Sequence, residues 1–187
     1  MSIPSVCIAL LFAVPVIATG QPAADIVKIG NGITEVDFTG NGVPDLIVSG
    51  HRENYNAHSF DVVSFYVPIQ DNPSKAKTWN IIPIMASGSE KWQVTVGGGA
   101  DCVLHDFRLL AGHGKDSATL ILADRDLGES FASPAKVTFT YYSLIRHSGN
   151  SPGLPPYSFE QSRIENAKVA YCDVEDAFNR ELGLGAR

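Results

Sequence analysis

The chain has 187 residues and a mass of 20.1 kDa, with 14 basic and 20 acidic side chains and a formal net charge of -6. That length fits one domain and excludes a β-propeller, a TIM barrel or a two-lobed enzyme. An apolar fraction of 44% with 18% charged describes a globular chain rather than a disordered one, and the acidic balance argues against a nucleic-acid partner.

The chain opens on a run of 12 apolar residues, Val6 to Ile17 (VCIALLFAVPVI), followed by the small residues Ala18-Thr19-Gly20. This pattern predicts a cleavable secretory signal over residues 1–20 and a single domain over residues 21–187. The run is shorter than the ~20 residues of a membrane span and Pro15 interrupts it, so no membrane span is expected after cleavage. Cys7 lacks a lipobox context.

Beyond the signal the pattern has period 2. Ile33–Phe38, Leu46–Ser49, Phe60–Val67 and Trp79–Ile84 read as strands, as do Trp92–Val96, Val103–Leu110, Ala118–Ala123 and Val137–Leu144. Turn residues separate them, among them Gly30-Asn31-Gly32, Gly40-Asn41-Gly42, Asp71-Asn72-Pro73 and Gly97-Gly98-Gly99. Ser148 to Tyr157 reads as a loop. The expected fold is all-β, mainly an antiparallel β-sandwich, with one short C-terminal α-helix. Asp173 is the expected N-cap of that helix, Glu175 and Asp176 suit its first turn, and Gly183 its stop. Val174, Ala177, Phe178 and Leu182 fall on one helical face, which reads as packing.

The sharpest chemical signal is Asp37-Phe38-Thr39-Gly40-Asn41-Gly42-Val43-Pro44-Asp45. Oxygen side chains recur at loop positions 1, 3, 5 and 9, with glycine at position 6. A short loop wraps a hard cation at this spacing, because alternate residues point inward. Asp37, Thr39, Asn41, Asp45 and the backbone carbonyl of Val43 are therefore the expected ligands, and all-oxygen donors select Ca2+ or another hard cation in a structural role. Position 12 is Ser49, so the loop is not an EF-hand. It looks like the Asp-rich calcium turn of a single FG-GAP-type repeat.

His51-Arg52-Glu53-Asn54-Tyr55-Asn56-Ala57-His58 is dense in polar donors. It reads as an exposed loop, or as a binding loop beside the cation turn. The five histidines form no zinc spacing. Ser133-Pro134-Ala135-Lys136 matches Ser-x-x-Lys, the serine β-lactamase nucleophile pattern. Those residues lead into a strand rather than a helical turn, so the match reads as chance. Cys102 and Cys172 are the two cysteines left after signal removal, and an even pair in an exported protein predicts a disulfide.

Ile33 to Val67 resembles the carbapenem intrinsic resistance proteins of the CarG type. The segments Asp101–Leu110 and Tyr171–Phe178 are similar to that family as well. The resemblance implies a periplasmic β-sandwich with a bound cation, acting as a homodimer. It implies non-enzymatic protection of a carbapenem-producing cell, together with a second periplasmic resistance protein. The direct target is left open among the β-lactam, a penicillin-binding protein and that partner. The same fold occurs in periplasmic inhibitors of invertebrate-type lysozyme, which act through a Ser-Gly-x-Tyr loop. Ser49-Gly50-His51-Arg52, Ser87-Gly88-Ser89-Glu90 and Ser148-Gly149-Asn150-Ser151 all lack the tyrosine, and lysozyme inhibition stands as the alternative.

Overall fold

The computed structural model describes residues 25–69, 77–112, 117–148 and 153–187. The expected signal over residues 1–20 and the turn at Asp71-Asn72-Pro73 lie outside them. The strands run β1 (Gly32–Val36), β2 (Asp45–Arg52), β3 (Phe60–Ile69), β4 (Thr78–Ile81), β5 (Ile84–Ala86), β6 (Ser89–Lys91), β7 (Val94–Gly97), β8 (His105–Leu110), β9 (Thr119–Arg125), β10 (Val137–Arg146) and β11 (Tyr157–Asn166), and α1 spans Val174–Leu182.

The expected all-β fold with a C-terminal helix is present. Its layers belong to one hydrogen-bonded sheet in the order β1-β2-β3-β7-β8-β9-β10-β11-β5-β6, with β4 on β3. Every pair is antiparallel except β11 with β5. The sheet rolls over on itself. Phe65 on β3 meets Phe159 on β11 at 5.4 Å between ring centroids, although four strands separate them in the order. The segment between β4 and β5 bridges the gap: Ile82 N–H donates to Phe65 O at 2.8 Å, and Pro83 O accepts from Phe159 N–H at 2.8 Å.

Alternation decides which side chains fill the roll. On β3, Val63, Phe65 and Val67 point inward, and Phe107 and Leu109 on β8 join them. Burying each such side chain contributes about 1.5–3 kcal/mol. The opposite face of β9 and β10 carries Ile121, Ala123, Val137 and Phe139, which pack against Val174, Ala177 and Phe178 of α1. The helix stripe is therefore packing, as expected. On β11, Ser162 is an extra residue opposite β10, and its hydroxyl donates to Tyr141 O at 3.1 Å.

Several boundaries differ from those expected. Phe38 leaves β1 and enters the turn. The Trp79–Ile84 run is split by Pro83, which has no N–H to continue a ladder. β7 begins at Val94 rather than Trp92, and β8 at His105 rather than Val103. The β5–β6 hairpin and β11 were not expected. Asp173 stands at the N-cap of α1 but its side chain makes no capping hydrogen bond. Its carboxylate instead accepts from Val103 N–H.

β7 and β8 are joined through one residue pair, Gly97 with His105. Between them the chain turns so tightly that a Cβ on Gly99 would lie 1.9 Å from the carbonyl oxygen of Cys102. Only glycine fits there. Past this joint the two strands separate, and the cleft described below lies at their parting.

Candidate functional site

The turn from Asp37 to Asp45 links β1 to β2. Phe38 anchors it from below, 1% exposed and stacked on Phe159 at 6.4 Å. That leaves the oxygen-bearing residues above. The Asp37 carboxylate accepts from Asn41 N–H at 3.0 Å and Gly42 N–H at 2.8 Å, and from the Thr39 hydroxyl at 3.4 Å. Asn41 Oδ1 accepts from Val43 N–H at 2.8 Å. Gly42 takes φ +82°, the left-handed conformation the turn requires. Thr39 N–H donates to Asp45 Oδ2 at 2.9 Å. The turn thus draws Asp37, Thr39, Asn41 and Asp45 together through its own hydrogen bonds.

Asp45 is fully buried, and its Oδ1 has no hydrogen-bond partner among the described residues. Burial pushes its carboxyl up to about 6, against the hydrogen bonds from Thr39, and the neighbouring Asp37 charge adds to the rise. A buried carboxylate oxygen with no donor is costly alone and satisfied by a cation. The donor set is all oxygen, which suits calcium rather than zinc. Among the described residues no three His, Cys, Asp or Glu side chains cluster as a metal site. The turn supplies two carboxylates, so a shell would need Thr39, Asn41 and the Val43 carbonyl as well. The residues fit a hard cation.

A pH dependence follows. In chelator, Asp45 binds its proton more tightly folded than unfolded, where its carboxyl titrates near 3.8. Its protonated form therefore favours the fold below pH ~4, and that contribution is lost as pH rises through about 6. The expected difference between pH 4 and pH 7 from this group is on the order of 2–3 kcal/mol. Asp45→Asn should flatten that part of the profile in urea unfolding. An unchanged profile would show that Asp45 is not the titrating group.

The loop from Glu53 to His58 is braced from within. Glu53 Oε1 accepts from Tyr55 N–H at 2.7 Å and from the Ser59 hydroxyl at 3.0 Å. Asn54 Nδ2 donates to His58 O at 2.9 Å. Tyr55 sits at the tip, 92% exposed and at φ +57°, a backbone conformation non-glycine residues seldom take. Next to the loop, His51 pairs with Asp61 at 2.8 Å, and that contact raises its pKa above the ordinary histidine value.

Ser133 and Lys136 do not form a helical turn. Ser133 lies in a loop with its hydroxyl 2.8 Å from that of Ser130, and Lys136 precedes β10. Cys102 and Cys172 are bonded, with their Cα atoms 5.3 Å apart. The bridge ties the segment before β8 to the residue before α1's N-cap. Ser49–Arg52 is part of β2, and Ser87-Gly88 forms the β5–β6 turn, so neither stands out as a long loop.

Two features escaped the sequence. One is the Asp106–Arg108 pair on β8, whose side chains are each 1% exposed. Polar residues alternating with Phe107 and Leu109 signal a wet face, but α1 and residues 183–187 cover it. The other is a cleft of about 690 Å³ where β7 and β8 part, lined by Lys91, Trp92, Gln93, Thr95, His105 and Asp124 among others. Trp92 at 60% exposed was the available hint.

No curated protein matches the chain. A solved structure described as "Crystal structure of CarG" is similar in fold, with a TM-score of 0.66 and 22% sequence identity, over 87% of this chain and 99% of that one. The family model described as "Carbapenem resistance protein CarG-like" matches residues 29–180. With the match running from the segment before β1 into α1, the chain belongs to the CarG-like carbapenem resistance protein family.

Proposed function

We propose that this protein is a periplasmic, non-enzymatic self-resistance protein that protects a carbapenem-producing cell, acting as a homodimer with a structural calcium ion. The observation that carries the reading is the family match over residues 29–180. The loop placement of Ser133 supports a role without a serine nucleophile, since its nearest polar side-chain contact is Ser130 rather than a base. The partner is a second periplasmic resistance protein, and the target is the β-lactam or a penicillin-binding protein. The test is exposure of a carbapenem-sensitive strain with and without the gene, alongside a lactam-hydrolysis assay. Protection without hydrolysis is the expected result. Loss of the drug in the presence of purified protein would overturn it.

The buried, unpartnered Oδ1 of Asp45 supports the calcium site. Asp37→Ala should lower the melting temperature, and chelation should lower that of the wild type alone. A melting temperature insensitive to calcium, chelator and the substitution would leave Asp37–Asp45 as a bare turn. Sedimentation of a ~20 kDa species at micromolar concentration would count against the dimer. The braced loop with exposed Tyr55 supports a second reading, a binder of a periplasmic lysozyme. Inhibition of an invertebrate-type lysozyme, abolished by Tyr55→Ala, would favour it.

A further inference from the structure

The cleft between β7 and β8 has the size of a small-molecule site, at about 690 Å³. Its wall is made by Trp92, 60% exposed, whose indole N–H donates to Glu90 Oε1 at 2.7 Å. That bond fixes the ring, so the indole offers a flat apolar face already in place. The polar groups around it divide sharply by whether they are engaged. Asp124 holds His105 Nδ1 at 2.7 Å. Asp106 is held by Arg108 and Arg187. Glu90 holds the indole. Each carboxylate at the cleft therefore already has a donor. The Lys91 side chain has no ion pair or hydrogen bond among the described residues, although Lys91 lines the cleft. Lys91 is thus the charged side chain of the cleft lining left to recognise a ligand. Gln93, Thr95 and His105 add further hydrogen-bonding side chains to the lining.

We infer that this cleft binds a small monoanionic ring compound, with its carboxylate on Lys91 and its apolar ring face on Trp92, and that the compound is the carbapenem itself. This rests on the reading of the chain as a carbapenem-protective protein and selects the drug among its targets. A carbapenem is a compact bicycle with one carboxylate and several carbonyl or hydroxyl acceptors, which the cleft's donors match. Binding here sequesters the drug, and no bond is made or broken.

The experiment is a titration of the full chain with a carbapenem and with its carboxyl ester, read by tryptophan fluorescence and calorimetry. Saturable binding is expected, weaker for the ester. Trp92→Ala should weaken carbapenem binding about tenfold. Lys91→Gln should weaken it and remove the preference over the ester, a readout that a folding defect would not produce. Both side chains are exposed, so both variants should unfold in urea like the wild type. Absence of saturable binding, or binding equal for acid and ester, overturns the assignment. Cell protection by the wild type without such binding would reject the cleft while leaving the protective function intact. Absence of protection would reject the function itself, whatever the cleft binds.

Discussion

Arg108→Ala is expected to destabilise the protein by about 3–5 kcal/mol, the cost of leaving a buried charge without its partner. Arg108 is 1% exposed and pairs with Asp106, itself 3% exposed. Its Nε donates to Gly185 O at 2.6 Å, and its guanidinium lies 4.4 Å from the ring centre of Phe178. One side chain therefore joins β8, α1 and the segment after the helix. Removing it leaves Asp106 with Arg187 Nε, at 3.0 Å, as its remaining side-chain donor among the described residues. A double variant, Arg108→Met with Asp106→Leu, should recover most of the loss, because apolar residues of similar volume replace buried ion pairs without large penalty. Urea unfolding of the single and double variants measures both. A single variant within 1 kcal/mol of wild type would show that water reaches the pair.

The second large effect is the disulfide. Cys102 and Cys172 close a loop with a sequence separation of 70 that contains β8, β9, β10 and β11. In the chain-entropy account such a closure contributes about 4 kcal/mol by limiting the unfolded chain. Cys102→Ser with Cys172→Ser should lower stability by an amount of that order. Thiol labelling of the oxidised, denatured wild type should find no reactive cysteine at these positions. A double variant as stable as wild type would mean that the hydrogen bond from Val174 N–H to Val103 O, at 3.1 Å, holds this junction without the bridge.

The parts of the fold that were legible are those where one element buries one face. β3 showed itself through Val63, Phe65 and Val67 at period 2, and α1 through Val174, Ala177 and Phe178. β11 was hidden because Phe159 is its lone fully buried large apolar side chain, and the strand ends in the exposed run Ser162–Asn166. It forms on hydrogen bonds to β10 and β5, which leave no mark on hydrophobic period. The turn from Asp37 to Asp45 was legible in spacing, since its hydrogen-bonding residues are local in sequence. The burial of Asp45 was not, because it depends on how the roll closes around Phe38. The cleft combines residues on the β6–β7 side with His105 and Asp124 from β8 and β9, so proximity in sequence could not reveal it.

The closure of the roll through Ile82 and Pro83 bears on how the molecule reaches its native state. Phe65 O, Ile82 N–H, Pro83 O and Phe159 N–H form a chain of contacts whose outer members stand far apart along the polypeptide. Such pairings form late, because loop-closure entropy must be overcome before they reward the chain. Folding is therefore expected on the millisecond-to-second scale, with a transition state that already contains the sequential ladder β8-β9-β10-β11 and still lacks the seam. Ile82→Val should speed unfolding and leave the refolding rate nearly unchanged, whereas Leu120→Ala within the ladder should slow refolding.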